Sequence, residues 1–158
     1  MREDKYPLNF AEHKMVTSGL ETLQKVFAAG GFGRGIGRTL GLVGTEVTHG
    51  KVTLQGSPTP DHYNPAGAVH GGYVATLLDG AIALAVYSTL PTDANYSTLD
   101  LKITYLRSLT EDSGPVRAEA SVIHSGRTVV AAEARLLDNA GRLCAHATGT
   151  CIVASPKQ

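Results

Sequence analysis

A lone carboxylate and a pair of glycines carry the chemical interest of this chain. Asp79 stands inside an apolar run, Tyr73 to Tyr87, in which Thr76, Asp79 and Gly80 alone fall outside the apolar class. An ionised carboxylate in such surroundings is costly unless it is paired or hydrogen-bonded. Asp79 is therefore either a functional group or a core carboxylate satisfied by a threonine or a backbone amide. Just upstream, His70-Gly71-Gly72 sits where a loop becomes a helix. The first N–H groups of a helix lack intrahelical partners, and the helix dipole favours negative charge there. Glycine lets a ligand approach that backbone closely. The pair is an oxyanion site or, more simply, a device for a tight turn. Gly71 and Asp79 are eight residues apart, about 12 Å along a helix axis. One chain cannot bring both to a single carbonyl. Two such helices packed antiparallel about a two-fold axis can, so a site that uses both lies between subunits of at least a dimer.

The elements that hold these groups are read from hydrophobic spacing. His70 to Leu90 is predicted as one helix, about 30 Å long, ended by Pro91 and Asp93. Val43–Thr48 and Lys51–Gln55 are strand-like and joined by His49-Gly50, a two-residue turn with glycine second. Residues 56–69 form a loop rich in Pro, Gly, Asp and Asn. Four strands follow the helix. In Ser97–Arg107, Leu99, Leu101, Ile103 and Tyr105 alternate against Thr98, Asp100, Lys102 and Thr104. Pro115–His124, Arg127–Asp138 and Arg142–Val153 come next, separated by Ser125-Gly126 and Asn139-Ala140-Gly141. Consecutive hairpins predict an antiparallel sheet. A helix without a wet face must be covered on most sides. The expected fold is α+β, a curved antiparallel sheet wrapped around one long central helix.

An extra N-terminal helical segment precedes that unit. Val16, Leu20, Leu23, Val26 and Phe27 recur at helical spacing, with Thr17 or Ser18 as the cap. Residues 28–41 contain six glycines. Their spacing fits neither a phosphate loop nor a dinucleotide fingerprint, so the stretch reads as a connector. The division is 1–41 extension and connector, 42–153 main domain, 154–158 tail.

Composition narrows the class. Hydrophobic residues at 42% and charged ones at 18% describe a globular chain. Fourteen basic residues balance fourteen acidic ones, which argues against nucleic acid as a partner and leaves little repulsion between copies. Cys144 and Cys151 fall on opposite faces of one strand and are not expected to bridge. The first ten residues lack the apolar run of a signal peptide, and the longest apolar stretch is too short to span a bilayer. The expected setting is the cytoplasm, with reduced thiols and no membrane contact. No serine sits in GxSxG, and the six histidines show no HExxH or HxH spacing. Neither a serine-elbow hydrolase nor a metal site is predicted, and no cofactor is inferred.

Asn64-Pro65-Ala66-Gly67-Ala68-Val69-His70-Gly71-Gly72, followed by Leu77 and Asp79, resembles the NPxGxxHGGxxxxLxD motif of PaaI-type hotdog thioesterases. The likeness extends over residues 42–153 and includes the strand Thr98–Arg107 and the turn Ser125-Gly126-Arg127-Thr128. The resemblance implies a hotdog fold, in dimers that often pair into tetramers, and hydrolysis of acyl-CoA thioesters. It gives Asp79 the role of general base or nucleophile. It makes Gly71 the residue whose backbone N–H polarises the thioester carbonyl, and Asn64 the loop amide that positions water or substrate. Thr98 falls where relatives carry Ser or Thr near the carboxylate. His70 supports the loop and carbonyl, or is a core histidine. Gly126-Arg127 resembles a segment near the CoA moiety, with Arg127 as a phosphate contact against the default of a solvated surface arginine. One departure is Ser108 after Leu106-Arg107, where many relatives have proline.

Two other readings share this fold. A non-catalytic hotdog would bind CoA esters without needing a base. A hotdog hydratase or dehydratase would place a histidine with an acid in different motifs. Tyr73, Tyr87, Tyr105 and the N-terminal segment are the candidates for shaping an acyl pocket or covering an interface.

Overall fold

A computed structural model of the chain describes residues 17–154. Val16 of the predicted N-terminal stripe and the 155–158 part of the tail lie outside the described residues. The first helix, α1 (Gly19–Ala28), is capped by Ser18, whose hydroxyl accepts from the Glu21 N–H while the Glu21 carboxylate accepts from the Ser18 N–H at 2.9 Å. This reciprocal bonding satisfies two otherwise orphaned donors. The Ser18 bonds hold the Glu21 carboxyl below the usual carboxylate range. Gly19 donates to the Leu90 carbonyl at 3.1 Å, and a Cβ there would lie 1.9 Å from the Tyr87 carbonyl oxygen. Only glycine allows α1 to start this close to the far end of the central helix. Leu23 and Val26 then bury completely.

The connector contains a one-turn helix, α2 (Ile36–Thr39), between glycines at positive φ, Gly35 (85°) and Gly41 (65°). These left-handed positions fold the stretch back on itself, so it has more shape than its composition suggests. The hairpin of β1 (Val43–Thr48) and β2 (Lys51–Gly56) follows as expected, with Gly50 at φ 74° in the turn. The central helix is α3 (Gly71–Tyr87). Its 17 residues make about 25 Å, shorter than the predicted span to Leu90. It ends at Ser88 because hydroxyls compete for its last carbonyls: Ser88 donates to Ala85 and Thr89 to Val86, each at 2.7 Å. The Ser88 hydroxyl also accepts from the Gly50 N–H at 2.8 Å, tying the helix end to the hairpin turn.

Four strands complete the sheet: β3 (Asn95–Tyr105), β4 (Val116–Ser125), β5 (Val129–Leu137) and β6 (Leu143–Ala154). The order is β1-β2-β4-β5-β6-β3, antiparallel throughout. The strands after α3 are thus not all joined as hairpins. β3 pairs with β6 at one edge, and the connection over residues 106–115 carries the chain back to β4 beside β2. The inner face of the sheet carries small residues in register: Ala120 faces Ala134, which faces Ala147. All three are buried, as are Leu77, Leu78 and Ile82 of α3, which packs across β2 to β6. Alanines below and branched residues above let helix and sheet interdigitate at interior density.

Two predictions of orientation need correcting. A bulge between Thr98 and Asp100 leaves Leu99 without a register partner and 57% exposed. The extra residue flips the alternation, so Thr98 turns inward, where the unbroken pattern would point it away. Tyr105, at the strand's end, is also exposed rather than in the core. Second, α3 is not covered all round. Gly71, Gly72, Ala75, Thr76, Asp79, Gly80 and Ala83 form an incompletely buried face, so Asp79 is partly exposed and not enclosed in the core.

Tyr73 is the reverse case: it is 4% exposed, stacks on His62 with ring centroids 4.4 Å apart, and its hydroxyl has no hydrogen-bond partner among the described residues. Burial pushes its phenol up to about 12 from an ordinary value of 10.0. The folded protein therefore keeps this proton where the unfolded chain has lost it, and stability falls as pH rises from about 10 to 12. Removing an unsatisfied hydroxyl is close to neutral or stabilising by about 1 kcal/mol. Tyr73→Phe should match or exceed the wild-type urea midpoint at pH 7 and lose less stability above pH 10. A clear loss at pH 7 would mean that the hydroxyl holds a bond.

Candidate active site

Residues 56–70 build the first half of the site. Tyr63 bridges Val69, and between them the chain closes tightly, with the Asn64 N–H donating to Ala68 at 2.7 Å and the Gly67 N–H to Asn64 at 3.0 Å. Gly67 sits at φ 80°, which explains the glycine. The Asn64 side-chain oxygen accepts from the N–H groups of Ala66 (2.9 Å) and Ala68 (3.3 Å). Its carbonyl end is consumed by the loop, and its amide NH₂ end has no partner among the described residues.

His70 is the N-cap of α3. Its Nδ1 accepts from the Gly72 N–H at 2.8 Å, and its carbonyl accepts from the Tyr73 N–H at 2.9 Å. Capping through Nδ1 requires that nitrogen to be unprotonated. The ring is exposed, so the core-histidine reading falls away. These bonds leave the Gly71 N–H as a first-turn donor without a partner among the described residues. The Tyr105 hydroxyl donates to the Gly71 carbonyl at 3.2 Å, and its ring lies 3.4 Å from where a Gly71 Cβ would stand. Asn64, Gly71, Tyr105 and Arg107 line one cleft of about 340 Å³. Arg107 and the Tyr105 contact were not singled out from the sequence, since nothing local ties the end of β3 to the start of α3.

The second half lies two helical turns further on. The Thr98 hydroxyl donates to Asp79 Oδ1 at 3.0 Å, across from β3 to α3. The bulge in β3 makes this bond possible by turning Thr98 inward. Tyr96 and Cys151 are close enough to feel the Asp79 charge. Burial, with those neighbouring charges, pushes the Tyr96 phenol up strongly and the Cys151 thiol up as well. Cys151 is fully buried and protonated, so it is no nucleophile. Both cysteines are free.

Within one chain the halves stay apart. Asp79 and Thr98 do not border the cleft at Gly71. Thr98 and Tyr105 are seven residues apart on β3, about 23 Å along a strand. Yet Gly71, Ala75, Asp79 and Ala83 follow one another at four-residue steps, so both key groups share one helix face. Gly126 and Arg127 occupy the β4–β5 turn, where the Gly126 N–H donates to the Val129 carbonyl at 3.0 Å. A Cβ on Gly126 would lie 2.6 Å from that oxygen, which explains the glycine. Arg127 is exposed. Val129 pairs with Ile152, next to Cys151, which pairs with Thr98, so this turn stands at the Asp79 end of the sheet. Tyr73 and Tyr87 are core residues, Tyr87 stacking on Tyr96 at 5.3 Å. Among the described residues no group of three or more His, Cys, Asp or Glu side chains could hold a metal ion, and no helix is long and apolar enough to cross a membrane.

Comparison with known proteins supplies independent context. A profile of the thioesterase superfamily matches residues 66–145. Human acyl-coenzyme A thioesterase 13 is 30% identical over 139 residues, covering 85% of this chain and 96% of that protein. A Halobacterium salinarum protein that carries an esterase name is 40% identical over 94 residues, and this match spans only 58% of the chain and 60% of that protein. Among solved structures, a variant of phenylacetic acid degradation protein PaaI from Thermus thermophilus superposes with a TM-score of 0.67. It is 28% identical, covering 73% of this chain and 96% of that one.

The capping role of His70 is open to test by urea denaturation. His70→Ala should cost about 1 kcal/mol, and His70→Asn, which restores a capping acceptor, should recover most of it. Equal stability of all three proteins would rule the cap out.

Proposed function

We propose, from the premise that this chain belongs to the thioesterase superfamily of thioester hydrolases, that it cleaves acyl-CoA to the free acid and CoA at sites shared between two subunits. One observation carries the reading. The two groups that the reaction needs, an N–H at Gly71 without a partner among the described residues and a carboxylate fixed by Thr98 at Asp79, lie on the incompletely buried face of α3. Ala75 stands midway between them. When two copies of α3 cross antiparallel with the two-fold axis beside Ala75, Gly71 of one protomer faces Asp79 of its partner. The small residues Gly71, Gly72 and Ala75 permit that close approach. The free edge of β3 and the exposed Leu99 and Leu106 offer a second copy a strand to pair with. Two such dimers then form the tetramer expected from the resemblance.

The chemistry follows from the charges that develop. Asp79 takes a proton from water, and the water oxygen attacks the thioester carbonyl carbon. The carbonyl π electrons move to oxygen, where the Gly71 N–H at the positive end of α3 receives the negative charge. Collapse of the adduct breaks the C–S bond, and the departing thiolate recovers the proton from the Asp79 carboxyl. Thr98 fixes one carboxylate oxygen and leaves the other for water. The free amide of Asn64 positions water or substrate at the same cleft. Gly126 shapes the turn that presents Arg127 to the CoA phosphates. No cofactor is required, because a thioester carbonyl is activated already. The two free thiols fit a reducing compartment, the cytoplasm.

Thiol release from a panel of acyl-CoAs tests this directly. Asp79→Asn should lower kcat by about a hundredfold or more while the protein stays folded and oligomeric. Gly71→Pro removes the N–H at the first helical position, where proline is tolerated, and His70 already has the extended conformation that a residue before proline needs. It should lose about 10²–10³ in kcat with little change in stability. Full turnover in Asp79→Asn would refute the carboxylate mechanism. Ligand-induced stabilisation without turnover in the wild type would favour the CoA-ester binder instead.

A further inference from the structure

The acyl group of the substrate needs a place near Asp79, and a second cleft is lined by neighbours of Asp79 on α3, though not by Asp79 itself. It has a volume of about 210 Å³ and a predominantly apolar wall, with Arg34, Thr76 and Tyr96 as the residues that carry polar groups. Its floor includes Leu54, Gly80, Ala83 and Leu84. Gly80 adjoins Asp79 in sequence and Ala83 is one turn beyond it, so the cleft flanks the carboxylate along α3. A Cβ on Gly80 would come within 3.2 Å of Leu54, so the glycine keeps this floor open.

The other wall comes from residues 32–37, outside the stretch that matches the thioesterase profile. Phe32 is wedged between the Phe27 ring, edge-on at 6.3 Å, and Gly37, where a Cβ would approach its ring to 3.0 Å. Ile36 lies beside it on α2, which buries no residue, and is itself 63% exposed. The segment is held by the Arg38 guanidinium on the Gly33 carbonyl at 3.2 Å and the Leu42 N–H on the Gly37 carbonyl at 2.7 Å. A rigid aromatic and an exposed isoleucine thus close an apolar cleft whose floor includes Gly80, the residue after Asp79.

We propose that this glycine-rich turn is the acyl-selectivity element, and that the cleft accepts a compact apolar acyl group and turns away long fatty chains. The proposal rests on the hydrolase reading above and deepens it. Scale supports the size limit: an apolar cavity of ~150 Å³ holds one benzene ring. A cleft of about 210 Å³ therefore accommodates an aryl ring with a short arm or a chain of about six carbons.

Ile36 provides the test, since its exposure lets it change without disturbing the core. Rates are measured on acetyl-, hexanoyl-, phenylacetyl-, decanoyl- and palmitoyl-CoA, and affinities on the non-hydrolysable thioether S-hexyl-CoA and on CoA itself. Wild type should favour hexanoyl or phenylacetyl over palmitoyl by about tenfold or more in kcat/KM. Ile36→Trp should cut kcat/KM for the compact apolar esters by about tenfold and leave acetyl-CoA within about threefold. It should weaken S-hexyl-CoA but not CoA. Ile36→Ala should move the optimum to longer chains. A wild-type preference for palmitoyl, or variants that change all esters alike or none, would overturn the proposal. The thioether separates the two levels. If no ester is hydrolysed but Ile36→Trp still weakens S-hexyl-CoA alone, the acyl cleft stands and the hydrolase reading falls.

Discussion

Along α3, an N–H at the first position, without a partner among the described residues, and a carboxylate at the ninth share one face but stand about 12 Å apart. Neither can move toward the other, because the helix between them is clamped by the sheet on its opposite side. Much of the structure serves to keep this spacing fixed and this face open. The Ala120–Ala134–Ala147 row draws the sheet against the branched side of α3. Ser88 and the hairpin turn at Gly50 hold one end of the helix, and His70 caps the other without using the Gly71 N–H. What remains uncovered consists mostly of small residues, with Ala75 midway between Gly71 and Asp79, and the proposed pairing of two copies uses this face.

Positioning at each half is achieved by different means. At the helix start it comes from backbone bonding: Asn64 folds its own loop, His70 occupies the second amide, and Tyr105 holds the Gly71 carbonyl. At Asp79 it comes from a strand irregularity. Without the bulge at Leu99, Thr98 would face away and the carboxylate would lose its 3.0 Å donor. An exposed leucine is the visible cost of an inward threonine, which is a common reason for bulges near functional sites.

The local parts of this arrangement were legible from residue order. Thr17 or Ser18 marks the start of α1, which the structure resolves in favour of Ser18, His49-Gly50 marks a hairpin, and the apolar run around Asp79 marks a helix. The nonlocal parts were not. Leu99, Leu101, Ile103 and Tyr105 look like an unbroken strand because the bulged residue happens to be apolar, so Thr98 could be placed near Asp79 only by resemblance. The pairing of β3 with β6 depends on which edges remain free after β2 and β4 join, which no single segment encodes. The wall formed by Phe32 and Ile36 was hidden in a stretch whose glycines suggest a plain connector, although several of those glycines shape its turns.

If each site takes Gly71 from one subunit and Asp79 from the other, mixing two inactive variants restores activity that neither has alone. Asp79→Asn and Gly71→Pro proteins, each nearly inactive, are unfolded together, refolded at equal amounts and assayed for thiol release. In a mixed dimer one site then carries both lesions and the other carries neither. Random pairing should restore about a quarter of wild-type activity. If exchange is verified by tagged subunits and activity stays at the level of the parents, the site lies within one chain and the shared-site account is wrong.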